Sequence, residues 1–163
     1  MSNTDASNSF EDPLENYEAP KFDDPVAQAL HDATVSDVQT QPHICVSADT
    51  SVREAMKLMA GRQIACVLVE QQNKLVGVFG DRDVLDRVAL EYDAVTDRPV
   101  SEVMSTEPVF VQTDDSAAKV LSVMAVSGYR HVPVVDSDQT PAGIVSPHRI
   151  AHFLKSHLKD GTA

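Results

Sequence analysis

The chain contains itself twice. Displacing the sequence by 65 positions lays Val35-Ser36-Asp37-Val38 on Val100-Ser101-Glu102-Val103. The same shift puts Val46 on Val111, Asp49 on Asp114, Ser51 on Ser116, Met59 on Met124, Ala60 on Ala125, Val67 on Val132 and Val69 on Val134. Over residues 35–73, ten of 39 positions are identical, and after a one-residue gap Gly77-Val78-Phe79 meets Gly143-Ile144-Val145. A fixed internal period means one supersecondary unit copied in tandem. A unit of about 55 residues buries too little surface to be comfortably stable alone. The two copies must therefore cover each other.

Both copies predict the same order of elements. In the first, Ile44–Val46 is a short strand. Asp49 and Ser51 with Glu54 offer helix-start chemistry of the Ser-x-x-Glu kind, and Val52, Ala55, Met56 and Met59 follow at helical spacing on one apolar face. Gly61 is expected to end that helix. Ile64–Val69 and Leu75–Phe79 are apolar runs of strand length around a polar Gln-Gln-Asn turn. Asp81–Leu90 returns to helical spacing through Val84, Leu85 and Val88.

In the second copy the order is strand Val109–Val111, a helix near Ser116–Val126 capped by Asp114 or Asp115, strands Val132–Val135 and Ala142–Val145, and a last helix from Pro147 to about Leu158. The strands are apolar along their whole length, as expected when both faces are covered. The fold class is α+β: two tandem βαββα units packed sheet against sheet about a pseudo-two-fold axis, with an equivalent cleft on either side. The boundaries are an acidic, disordered tail over 1–24, a short leading helix within 25–34, unit one over 35–90, a charged linker over 91–99, unit two over 100–158 and a tail over 159–163.

Composition narrows the function. Aromatics are few and Trp is absent, so the core is aliphatic. The net charge of −12, with only 13 Lys and Arg, argues against a nucleic-acid backbone, whose affinity comes from many cations displacing counterions. Seven carboxylates against Lys21 alone in residues 1–24 account for half of the excess, which leaves the rest mildly acidic. No apolar run approaches the roughly 20 residues that span a bilayer, and the first residues lack a secretory pattern, so a cytoplasmic protein is expected. Cys45 and Cys66 make no metal spacing and read as small buried hydrophobes.

The duplicated order of motifs resembles a tandem CBS-domain pair, or Bateman module, over residues 35–158. Three segments carry the likeness: Val100-Ser101-Glu102-Val103-Met104, Tyr129-Arg130-His131-Val132-Pro133-Val134-Val135-Asp136, and the pair Gly77-Val78-Phe79-Gly80-Asp81-Arg82-Asp83 and Gly143-Ile144-Val145-Ser146-Pro147-His148-Arg149. The resemblance implies a sensor that binds AMP, ADP, ATP or S-adenosylmethionine between its copies, forms a homodimer and regulates a separate protein. It involves no resident cofactor.

The same resemblance supplies the site residues. Asp83 matches the ribose-binding aspartate, whose carboxylate accepts from sugar hydroxyls. The plainer alternative is that Asp81 and Asp83 favour the first turn of a helix. Gly80 stands where the family has Ser or Thr, and still allows close backbone approach. Ser146 keeps that hydroxyl, although Ser before Pro is also ordinary helix-start chemistry. Arg149 replaces the second aspartate and suits a phosphate instead. Arg130 and His131 are the phosphate candidates, Arg through its planar fork; their counterparts in copy one, Ala65 and Cys66, are unable to do this. A composite site follows, with Asp83 on the ribose and Arg130 or His131 of the other copy on the phosphates.

His148 and His152, four apart with His157 beyond, lack a third ligand and read as a solvated helix. No nucleophile elbow, P-loop or metal quartet is present, so no catalytic residue is expected. The alternative to a sensor is a ligand-free dimerisation module.

Overall fold

The computed structural model describes residues 22–39 and 43–160. Most of the acidic segment at the N-terminus lies outside the described residues. The chain enters through α1 (Pro25–Asp32), capped by the Asp24 carboxylate on Val26 N–H at 2.9 Å, and a single turn α2 (Val35–Val38). Then come β1 (Cys45–Ser47), α3 (Val52–Arg62), β2 (Cys66–Gln71) and β3 (Lys74–Gly80). Ser51 starts α3 with the expected reciprocal cap: its hydroxyl oxygen accepts from Glu54 N–H, and the Glu54 carboxylate accepts from Ser51 N–H. This satisfies two of the orphan donors at the helix start. Gln72 and Asn73, both at positive φ, close the tight hairpin between β2 and β3, as a two-residue turn that follows the strand twist demands.

The helical stretch after β3 is broken, not continuous as expected. It runs as one turn α4 (Asp81–Asp83), a π turn (Val84–Val88), a 3₁₀ turn (Ala89–Glu91) and a further turn α5 (Tyr92–Val95), which occupies part of the expected linker. The second copy follows with a 3₁₀ turn at Val100–Glu102, then β4 (Ser105–Thr106), β5 (Val111–Gln112), α6 (Ala117–Ser127), β6 (Val132–Val135), β7 (Pro141–Val145) and α7 (Pro147–Asp160).

Three local expectations are corrected. Helix α3 passes through Gly61 and ends at Gln63, held left-handed at φ 53°; Gly128, its equivalent, does the same at φ 69°. The cap of α6 is Ser116, while Asp115 turns its carboxylate to Gln112 N–H at 2.7 Å. Val109 and Phe110 are exposed ahead of β5, which begins only at Val111.

Two sheets result. In the first, β1 runs parallel to β2, β3 antiparallel to β2, and β4 antiparallel to β3; in the second, β5 runs parallel to β6 and β7 antiparallel to β6. Strand β4 comes from repeat two yet closes the sheet of repeat one. The cores repeat this exchange. Val100, Val103 and Met104 lie in the core built from Val52, Val67, Val69, Phe79 and Val88, whereas Val35 and Val38 lie in the core of Val111, Val120, Val132, Val134 and Val145.

The backbone bonds that fasten these leaders repeat under the 65-residue shift. Val35 N–H reaches Asp115 O and Val100 N–H reaches Thr50 O; Ser36 N–H reaches Thr113 O and Ser101 N–H reaches Ala48 O. That is the pseudo-two-fold in hydrogen bonds. Leu68, Pro133 and Val135 are buried on the sheet faces opposite the helices, and the hairpin tips touch where Leu75 N–H donates to Gln139 O at 3.2 Å. Both faces of each sheet are covered, which is why the strands read as unbroken apolar runs.

Candidate functional site

Strand β3 delivers the chain to the first candidate site. Gly80 is paired with Cys66 across the sheet. A Cβ added there would press on Ala65 O at 3.2 Å and Cys66 Cβ at 3.3 Å, so a Ser or Thr fits only if β2 gives way by a few tenths of an ångström. The missing hydroxyl and the small Cys66 belong together. From Gly80 the backbone turns into α4, and Asp83 folds back beneath the turn, 7% exposed.

Both oxygens of the Asp83 carboxylate have partners within the protein. Its Oδ2 accepts from Gly80 N–H at 2.9 Å, and its Oδ1 accepts from the Ser105 hydroxyl at 2.8 Å and faces Arg87 Nη1 at 3.5 Å. Arg87 also donates to the carbonyls of Val103 and Met104. Ser105 and Arg87 form a part of this site that the motif reading did not include. Ser105 directly follows Val-Ser-Glu-Val-Met, and Arg87 lies four residues beyond Asp83, the spacing that places two side chains on one helical face.

His131 immediately precedes β6 of the other repeat and is half-buried. Burial pushes its pKa below the ordinary histidine value, against the pull of the Asp81 carboxylate, while neighbouring Arg130 adds to the lowering. Asp81 thus acts on a side chain of repeat two while its own backbone N–H is bonded to Ala65 O at 3.0 Å in repeat one. It also acts on Cys66, whose thiol is pushed up to about 12, first by burial and then by Asp81 and Asp83. The turn of Gly80–Asp83 therefore lies against the start of β2, and the charge of Asp81 is felt at His131 ahead of β6. Arg130 is exposed, and no ion pair among the described residues ties it to a carboxylate.

The second candidate site is built differently. Ser146 precedes α7 with Pro147 at the first helical position, and Arg149 N–H points at the Ser146 carbonyl at 3.0 Å and its hydroxyl at 3.4 Å. This is helix-start chemistry. Arg149 is half-buried three residues on. Behind them the Gln39 side chain lies against Gly143, as Met104 lies against Gly77 in the first copy, with its Oε1 buried and without a partner among the described residues. His148 and His152 are exposed on α7, and the His157 side chain lies outside the described residues. Among the described residues no cluster of three His, Cys, Asp or Glu is gathered for a metal, and no helix is long and apolar enough to cross a membrane.

A duplicated α+β unit with exchanged leaders defines a paired domain. The CBS domain family model matches residues 35–90 and again 100–156, and the chain belongs to that family. The CBS domain-containing protein YhcV of Bacillus subtilis is 33% identical over 132 residues, covering 80% of this chain and 92% of its own length. CBSCBSPB1 of Arabidopsis thaliana, also a CBS domain-containing protein, is 33% identical over 110 residues. The chain spans about a fifth of the length of that plant relative (20%) and 67% of itself in the match. Among solved structures, CBSX2 in complex with AMP superposes with a TM-score of 0.65 at 24% identity, over 78% of this chain and 98% of the other.

Proposed function

We propose that this chain is a cytoplasmic, non-catalytic regulatory module. It takes an adenosine-type ligand (AMP, ADP, ATP or S-adenosylmethionine) into the cleft between its CBS units and signals occupancy to a separate partner protein as a homodimer. The observation that carries this reading is the exchange at the repeat junction, where β4 of repeat two pairs with β3 and its Ser105 hydroxyl reaches the Asp83 carboxylate of repeat one at 2.8 Å. In this reading Asp83 accepts from the ribose, Gly80 admits the ligand close to the backbone, and Arg130 with His131 holds phosphate. Ser146 and Arg149 form a second, weaker position suited to an anionic group alone. In this reading Leu85 and Leu90, exposed on the broken helical stretch, belong to the surface that self-associates.

A thermal-shift titration with the four ligands tests the reading. A ligand that favours the folded state stabilises it by about 2.7 kcal/mol at a concentration 100 times Kd. At least one of the four is expected to raise Tm saturably, and Asp83→Ala is expected to remove the shift. No shift with any of them, or an unchanged Kd in Asp83→Ala, contradicts it. A second reading, a dimerisation module without a ligand, has one observation in its favour: Asp83 already has protein donors on both oxygens. A stable dimer that no adenosine ligand stabilises would select that reading.

A further inference from the structure

We infer that Ser105 is a latch on the Asp83 carboxylate, a competitor that a ribose diol must displace, and that this displacement couples the site to the 100–106 segment; the ligand half of the inference rests on the reading above. A carboxylate offers about four lone-pair positions. Two hydrogen bonds fall on it here, Gly80 N–H on Oδ2 and the Ser105 hydroxyl on Oδ1, and the Arg87 guanidinium lies 3.5 Å from Oδ1. The carboxylate belongs to a residue only 7% exposed, so a cis-diol reaching Oδ1 enters space already taken by the Ser105 hydroxyl and Arg87. One present neighbour has to leave.

The three are not equally free to go. Gly80 N–H is fixed by the backbone at the strand-to-helix turn. Arg87 is tethered independently by the carbonyls of Val103 and Met104. The Ser105 hydroxyl hangs on a single side-chain torsion, and rotating it releases Oδ1 without moving the backbone. Ser105 and Thr106 are the whole of β4, paired to Val78 and Gly77, and Val100, Val103 and Met104 just before them fill the core of the other repeat. Asp83 and Arg87 together grip consecutive residues 103, 104 and 105. Freeing Ser105 removes one of the side-chain anchors that hold this crossing segment on the first sheet.

The test has two arms on the full chain. Without ligand, hydrogen exchange over 100–106 is expected to be about two- to tenfold faster in Ser105→Ala than in wild type, the range one net hydrogen bond spans; Ser105→Thr, which keeps the hydroxyl, is expected to exchange as wild type. With AMP, ADP, ATP and S-adenosylmethionine measured by calorimetry, the ligand that wild type binds best is expected to bind Ser105→Ala about two- to tenfold more tightly, because its competitor is gone. Equal or weaker binding to Ser105→Ala overturns the latch, as does unchanged exchange in the absence of ligand. Faster exchange in a protein that binds none of the four overturns the competition together with the proposed function, while the clamp on 100–106 stands.

Discussion

His131 occupies a position that no surface histidine shares: it is half-buried just ahead of an inner strand, with a carboxylate of the other repeat in range and an arginine beside it. Burial is the largest cause of its lowered pKa, so the unfolded chain takes up this proton at a higher pH than the folded one. The folded state therefore loses stability as pH falls through the ordinary value of 6.5 toward the folded value. Between pH 7.5 and 5.5, the expected outcome is a falling Tm that His131→Gln makes flatter; an identical slope in the variant would remove His131 from the account. Protonating the imidazole strengthens any phosphate contact even as it weakens the fold.

The candidate residues are unevenly legible in the sequence. Asp83, Gly80, Arg130 and His131 fall in local patterns, each confined to one strand and a turn that borders it. Ser105 was out of reach for a physical reason: its partner is 22 residues away, and only the exchange of leaders between repeats brings the two together.

Among the elements, helix ends and strand starts show what a single-copy pattern misses. Gly61 looks like a helix stop, but α3 continues to Arg62 because Gln63 takes the left-handed position that Gly128 takes in the other copy. The 65-residue alignment already pairs these two positions, so the duplication outweighs the local glycine signal. Two glycines of the first repeat, Gly61 and Gly77, should respond oppositely to alanine. Nothing lies within 4 Å of a Cβ at Gly61, and inside a helix Ala is favoured over Gly by roughly 0.5–1 kcal/mol; Gly61→Ala is expected to raise stability by that amount in a urea titration.

At Gly77 a Cβ would collide with Met104 and sit 2.9 Å from the Ser105 carbonyl. Gly77→Ala is expected to cost about 1–3 kcal/mol, the ordinary penalty of overpacking, because the obstruction includes backbone that cannot swing aside. Equal and small effects at both positions would mean that the crossing segment does not press on β3 as described. Strand β4 was itself missed for the same reason: two residues, Ser105–Thr106, carry no periodicity, and they become a strand only because β3 offers them an edge.

For the molecule as a whole, duplication made the architecture legible from sequence, and exchange set its details. Ten identities spread over 39 positions fix two similar units, yet no pattern within either unit says that each core is completed by the other's leader. Val35 and Val100 are both fully buried, each in the core of the opposite repeat. Such units stabilise each other through shared hydrophobic burial, and the interface that results is also the seam where Asp81 acts on His131. Fold and candidate site are thus consequences of one arrangement. The acidic excess of the chain leaves that seam as a place where exposed Arg130 and chargeable His131 stand out against a negative background.

In the proposed function a ligand sits across both repeats at once. An amide-resolved NMR titration of the full chain with AMP, followed by ADP, ATP and S-adenosylmethionine, examines this most directly. Saturable shifts are expected at Gly80–Asp83 and at Arg130–His131, with one common Kd. Shifts confined to a single repeat, or separate affinities for the two segments, would contradict it.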